Sequence, residues 1–255
     1  MPVTIQVNPE QCVRCGRCVK SCSTGYLRMG PEGPYTGGKI ACIRCWHCAA
    51  ACPRGALSCP EEPMLAEHAD NPLEEAILSR RSVRHFREEA PPAELIARAL
   101  DRASYAPSGK NRHANRWTVI YGREKTAAVT EAALAVNRAT GRSPELEVLA
   151  AKGVDLLTCK APVVIIGWSP DNALNPCVDT VIAMHTAELL LCSEGLGTCW
   201  GGYLRDMVSL SAELRAMLGI PEGCSMQCCL MVGWPEKESY PHIPARDKAG
   251  IYWVK

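Results

Sequence analysis

The strongest chemical signal in the chain is a set of eight cysteines near its start. Cys12, Cys15, Cys18 and Cys22 form one run, and Cys42, Cys45, Cys48 and Cys52 form a second with the same C-x2-C-x2-C-x3-C spacing. Three cysteines two residues apart can point at one small inorganic core. A tetrahedral zinc site usually draws on two pairs, which leaves the third close cysteine of each run surplus. A cubane iron–sulfur cluster uses it, because its thiolates wrap around several irons. A structural zinc module is the competing reading. A second chemical signal lies farther on, in Arg80-Arg81-Ser82-Val83-Arg84-His85-Phe86, a segment dense in donors for an anion. Arginine forks pair bidentately with phosphate. Two further segments combine small residues with polar ones: the loop Ala106-Pro107-Ser108-Gly109-Lys110-Asn111 and the turn Gly195-Leu196-Gly197-Thr198-Cys199-Trp200-Gly201-Gly202. Glycines of the latter kind let backbone approach a flat ligand closely.

The doubled cysteine run closely resembles a bacterial two-cluster ferredoxin. In that family the fourth cysteine of each run ligates the other cluster. The resemblance therefore implies one [4Fe–4S] cluster on Cys12, Cys15, Cys18 and Cys52, and a second on Cys42, Cys45, Cys48 and Cys22. Two departures stand out: Ser23 follows Cys22 where the family usually has proline, and Trp46 follows Cys45 where the family favours glycine. Charge agrees with clusters. Residues 1–60 hold seven Lys or Arg against two acids, a net +5. Two oxidised clusters of about −2 each would largely neutralise it.

The elements that must position these groups divide the chain. Between Cys59 and Cys159 there is no cysteine, and Cys59-Pro60-Glu61-Glu62-Pro63 cannot propagate a helix. The expected organisation is a cluster domain over 1–60, a linker over 61–71 and a second domain over 72–255. In the second domain Asp70 or Asn71 can cap a helix opening at Pro72, with Leu73, Ala76 and Ile77 on one face. Further helices are expected over 92–104, 125–138, 145–158, 178–194 and 211–218, and strands over 117–121, 162–168 and 226–232. The helix over 178–194 is nearly all apolar and hence central, with His185 as a core residue. Cys228 and Cys229 would alternate faces of a strand as packing residues. The insert at 30–38 reads as a turn-rich surface loop. The fold class is α+β, a central sheet flanked by helices.

The three segments occur in the order found in the FMN-binding nitroreductases, and residues 72–255 resemble that family. The resemblance implies a homodimer with FMN at the subunit interface. Arg80, Arg81, Ser82 and Arg84 would approach the phosphate and the polar edge of the flavin. Pro107, Ser108 and Asn111 would come from the partner subunit. Gly195, Leu196 and Gly197 would line the isoalloxazine, and Arg246 would be a second phosphate ligand. Cys199 and His113 lie near these segments with no assigned role. No acid, base or nucleophile constellation is visible, so the flavin itself carries the chemistry. The implied function is an oxidoreductase in which clusters relay electrons to or from FMN, reducing nitroaromatics, quinones or similar conjugated electrophiles. The donor would be a ferredoxin-like protein or NAD(P)H. Outward flow through the clusters, or a redox sensor without turnover, are the alternatives.

Composition excludes other classes. Of 255 residues 47% are hydrophobic and 22% charged, so a sizeable core is available. The net charge of +1 argues against nucleic acid as a partner. No apolar run is long enough for a membrane span and the start lacks a secretory signal, so the expected location is the cytoplasm.

Overall fold

The structure, a computed structural model, describes residues 3–236 and 240–255. The chain divides into two compact units: residues up to Ser79 together with the tail from residue 240, and Arg80–Glu236.

In the first unit, β1 (Gln6–Val7) is followed by helix α1 (Arg17–Lys20), the hairpin strands β2 (Leu27–Gly30) and β3 (Gly33–Thr36), helix α2 (His47–Ala50), strands β4 (Leu57–Ser58) and β5 (Leu65–Ala66), and helix α3 (Pro72–Ser79). The halves repeat each other. Each cysteine run leads into a one-turn helix, and the two helices pack together. Arg14 and Arg44 both take left-handed backbone (φ 54° and 53°), as do Gly16 and Trp46 (φ 78° and 53°). Trp46 thus adopts the conformation that glycine takes without cost in the first run. Its ring is buried in this unit's core beside Leu27, Ala49 and Leu57, which offsets the strain. β1 pairs antiparallel with β4, Gln6 facing Ser58. The insert expected to be a surface loop is mostly the β2–β3 hairpin, closed by Gly30 opposite Gly33.

Asn71 caps α3, its Oδ1 accepting from the amides of Leu73 (2.9 Å) and Glu74 (3.2 Å). The apolar face expected of that helix is only partly covered: Ala76 is buried, whereas Leu73 and Ile77 are exposed.

The second unit runs through α4 (Ala93–Arg102), β6 (Arg116–Tyr121), α5 (Arg123–Thr140), α6 (Pro144–Ala150), β7 (Val163–Pro170), α7 (Pro176–Ser193), β8 (Gly197–Trp200), α8 (Gly202–Leu210), α9 (Ala212–Met217) and β9 (Cys224–Gly233). The four strands form one antiparallel sheet in the order β6-β7-β9-β8. β7 is buried on both faces, as its unbroken run Val163-Val164-Ile165-Ile166 requires. Val163, Ile165, Cys228, Leu230 and Val232 meet Ala183, Met184, Ala187 and Leu191 of α7. On the other face Cys229 donates to the Gly201 carbonyl at 3.2 Å. The two neighbouring cysteines therefore do face opposite ways.

Three expectations are corrected here. The helix over 145–158 stops at Ala150, because Gly153 is left-handed (φ 75°) and the Asp155 carboxylate gathers the amides of Leu157, Thr158 and Lys160. The glycine-rich turn is largely strand β8 running into α8, which the apolar pattern had not marked. His185 is not a core residue: its side chain is 49% exposed, with only its Nδ1 directed inward.

The tail differs from the expected boundary of 72–255. It belongs to the first unit, where β10 (Ile243–Pro244) pairs antiparallel with β5. The Ala245 amide donates to the Met64 carbonyl at 2.9 Å, and the His242 amide to the Ala50 carbonyl at 3.3 Å. A two-residue strand in the linker needs such a partner, since its backbone groups would otherwise go unpaired.

Candidate functional site

Eight of the nine thiols of the first unit form two rings, and the rings are crossed. Cys12, Cys15, Cys18 and Cys52 line one small void of about 20 Å³ with Gly16, Pro53 and Leu57. Burial pushes the Cys18 thiol up to about 11, and the nearby Cys52, Cys15 and Cys12 add to the rise. Burial likewise raises Cys48, assisted by Cys45, Cys22 and Cys42. The fourth cysteine of each run thus sits with the first three of the other. Among the described residues no three Cys, His, Asp or Glu side chains close on a single ion. Backbone amides point at the sulfurs: Leu27 at Cys22 (3.5 Å), Arg44 at Cys42 (3.4 Å) and Ala56 at Cys52 (3.3 Å). Such bonds offset thiolate charge. Arg246 also lies in this unit, its Nη1 donating to the Cys45 and Ala245 carbonyls, each at 3.0 Å.

In the second unit the arginine segment is held as an added edge of the sheet. Ser82 bridges Thr198 in parallel, and the Val83 amide donates to the Thr198 carbonyl at 2.8 Å. Farther on, the Arg87 amide donates to the Trp234 carbonyl at 2.9 Å. Gly197 makes the approach possible, since a Cβ there would sit 2.8 Å from Val83. Gly195 is left-handed (φ 82°) and ends α7, with the Leu196 amide returning to the Leu191 carbonyl at 3.0 Å. Two of the three segments are therefore adjacent.

Glu188 organises them. It is fully buried on α7. Its Oε1 accepts from Thr198 Oγ1 (2.9 Å) and Arg80 Nη1 (3.3 Å), and its Oε2 from Trp200 Nε1 (3.0 Å) and His185 Nδ1 (2.8 Å). An acid in the middle of a nearly apolar helix was the available signal for it, because a buried carboxylate is kept only when paired. Arg81 is buried to 5% exposure beside this network, and Arg84 Nη1 donates to the Ser82 carbonyl at 3.4 Å. Arg80, Ser82, Ile182, His185, Glu188 and Trp200 border an open cavity of about 440 Å³.

The third segment is held at the other end of α7. The Gly109 amide donates to Asp179 Oδ2 at 3.0 Å, and a Cβ on Gly109 would meet Asn175 Nδ2 at 2.7 Å. Lys110, Asn111 and His113 are all left-handed, and Ser108 Oγ accepts from the His113 amide at 3.0 Å. His113 Nε2 contacts Asn111 Oδ1 at 2.7 Å. Asp179 and Glu188 are nine residues apart on α7, so the loop and the arginine segment are anchored about 14 Å apart along the helix. Within one chain the structure does not bring Ser108 and Asn111 together with Arg80 and Ser82. A second cavity of about 350 Å³, lined by Thr126, Thr130, Leu146, Asp155 and Lys160, contains none of the expected site residues.

The family model described as the nitroreductase family matches residues 77–234. The chain belongs to the nitroreductase family. It is an oxidoreductase of that family carrying an N-terminal 4Fe-4S dicluster domain, whose family model matches residues 11–57. Among solved structures it is similar to a nitroreductase with bound FMN from Desulfitobacterium hafniense, at 28% identity and a TM-score of 0.62, covering 73% of this chain and 100% of that one. A nitroreductase with bound FMN from Bacteroides fragilis shares the fold at 22% identity and TM-score 0.62, covering 72% and 100%. An FMN and NADPH-dependent nitroreductase from sphigopyxis sp. strain HMH does so at 23% and 0.58, covering 72% and 99%. No curated protein sequence matches the chain. Among the described residues no helix is long and apolar enough to cross a membrane.

Proposed function

We propose that this nitroreductase-family chain binds FMN in its second unit and two [4Fe–4S] clusters in its first, and reduces nitroaromatics, quinones or similar conjugated electrophiles. When bound, the clusters supply single electrons and the flavin supplies the paired transfer to the acceptor. The observation that carries this reading is the presence, in one chain, of two crossed four-thiol rings and a nitroreductase domain.

The chain's own residues have assignable parts. Arg80, Arg81, Ser82 and Arg84 offer an anchored donor array for a phosphate and a polar ring edge, with Glu188 fixing the direction of Arg80. Gly195, Leu196 and Gly197 present backbone where a planar ring needs close approach. Pro107, Ser108 and Asn111 complete the site from a partner subunit, which the separation along α7 favours. Arg246 has spent one nitrogen on carbonyls of the first unit and would serve a phosphate only with the others. The electron donor is a ferredoxin-like protein or NAD(P)H, and a reducing cytoplasm suits the clusters.

The test is anaerobic stopped-flow on the holoprotein. Reduction by a low-potential ferredoxin-like donor should bleach cluster and flavin absorption, and a nitro compound or quinone should restore both within the turnover time. A bound flavin that stays reduced before every such electrophile would overturn the proposal.

A further inference from the structure

The cavity of about 350 Å³ in the second unit shares no residue with the segments assigned to the flavin. Its size is at the lower end of small-molecule sites, about 300–1,000 Å³. α5 and α6 form two of its walls, and the segment 153–160 forms a third. That segment runs back along α5 into β7. Thr130 Oγ1 lies 2.8 Å from Thr158 Oγ1, and Thr126 Oγ1 lies 2.9 Å from the Ala161 carbonyl oxygen. The two ends of the cavity are therefore built from different residues.

One end is cationic. The Gly122 amide donates to the Pro162 carbonyl at 2.8 Å, so Lys160 is held near Arg123 at the start of α5, and both line the cavity. A helix N-terminus also favours an anion there. Arg123 Nη2 donates to the Phe86 carbonyl at 2.8 Å, and its Nε is buried without a partner. Among the described residues neither Arg123 nor Lys160 forms an ion pair. The acids that line the cavity do not answer these charges. Asp155 is engaged by its own turn, accepting from the amides of Leu157 (2.8 Å), Thr158 (3.0 Å) and Lys160 (2.8 Å) and from Thr158 Oγ1 (2.6 Å). Glu131 is exposed and stands eight residues along α5 from Arg123, about 12 Å away.

The other end is apolar. Leu134, Leu146 and Leu157 are buried there, with Ala150 and Val154 beside them. Leu134 is eleven residues along α5 from Arg123, about 16 Å. Between the ends, the hydroxyls of Thr126, Thr130 and Thr158 are all hydrogen-bonded within the protein. The polar groups of the wall that still call for a partner are thus the two cations at one end.

We propose that this cavity binds a medium-chain aliphatic carboxylate, its head group at Arg123 and Lys160 and its chain along α5 against Leu134, Leu146 and Leu157. A guanidinium without a counter-ion suits a carboxylate, which it can pair through two parallel hydrogen bonds. The leucine end removes the chain from water. A purely apolar ligand would leave the cations unanswered, and a small inorganic anion would leave the leucine end unfilled. The site uses no cluster cysteine and none of the flavin donor array, so it depends on neither cofactor.

The experiment is isothermal titration of the full-length holoprotein with sodium decanoate below its micelle concentration. Decanoate should bind saturably, one per chain, without displacing flavin. Decanol has the same chain and no charge, and should bind about tenfold more weakly or worse, the loss of a charge-assisted pair. Arg123→Met should weaken decanoate by a similar factor. Ala150→Phe, which fills the apolar end, should remove saturable binding. Absence of saturable heat, equal affinities for decanoate and decanol, undiminished binding in either variant, or release of flavin as decanoate binds overturns the proposal. Arg123 also holds Phe86, so Arg123→Met can weaken the fold; the comparison of decanoate with decanol uses the wild-type protein and decides the matter regardless.

Discussion

Glu188 shows how much one side chain can organise. Its carboxylate is fully buried and accepts from Arg80, Thr198, Trp200 and His185. Removing one partner of a buried ion pair is costly because the other is left without compensation. Glu188→Ala should therefore destabilise the second unit by about 3 kcal/mol, and Glu188→Gln, which keeps an acceptor, by only about 1 kcal/mol. Urea denaturation followed by tryptophan fluorescence checks this, since Trp200 reports on the network directly. Equal losses in the two variants would mean that volume, not charge and acceptors, is what Glu188 contributes. A second residue-level expectation concerns pH. Burial raises Cys228 from 9.0 to about 12 in the folded chain. An acid whose folded value is raised contributes stability that is full below its unfolded value and is lost as pH rises toward the folded one. The wild-type urea midpoint should thus fall between about pH 9 and about pH 12, and Cys228→Ala should flatten that slope. A midpoint indifferent to pH in this window would remove Cys228 from the account.

At the level of elements, local spacing was legible and distant pairing was not. The two cysteine runs were legible because three of the four thiols of each ring lie within one run. Cap signals such as Asn71 before Pro72 read equally well. What escaped notice depends on contacts far apart in sequence. The docking of Gly109 on Asp179 is of this kind, as is the strand pairing of Ile243 with Ala66. Periodicity carries no record of such partners. It also misjudged His185, since an apolar helix can turn one flank outward. The crossing of the thiol rings is the element-scale feature most open to test. Crossed rings make Cys12 and Cys52 partners, and Cys22 a partner of the second run. The double variant C12A/C52A should lose one cluster and keep roughly half of the iron, whereas C12A/C22A damages both clusters and keeps much less. Iron analysis with EPR of the reduced proteins distinguishes them. The reverse order of iron content would show each run holding its own cluster.

For the whole molecule, the informative feature is a helix apolar on both sides. One side of α7 packs on the sheet through Ala183, Met184, Ala187 and Leu191. The other leaves Val178, Ile182 and Leu190 exposed, with Leu174 just before the helix. A helix apolar all round is expected to be buried all round, so a second surface must cover this one. The same helix separates the two halves of the proposed flavin site by about 14 Å. A two-fold partner laid along α7 answers both needs, because it covers the apolar row and can bring a second Ser108–Asn111 loop toward Arg80 and Ser82. Isologous packing of this kind is the commonest route to a homodimer. On this proposal association and flavin binding are one property. V178E/L190E places charges on the outer row, away from the residues of α7 that face the sheet and from the cavity beside Arg80. It should turn the dimer into a folded monomer by light scattering and lose most of its flavin, while its iron content stays at the wild-type level. A monomer that retains full flavin would show that each chain holds its cofactor alone. An unchanged dimer would move the interface to another face of the molecule.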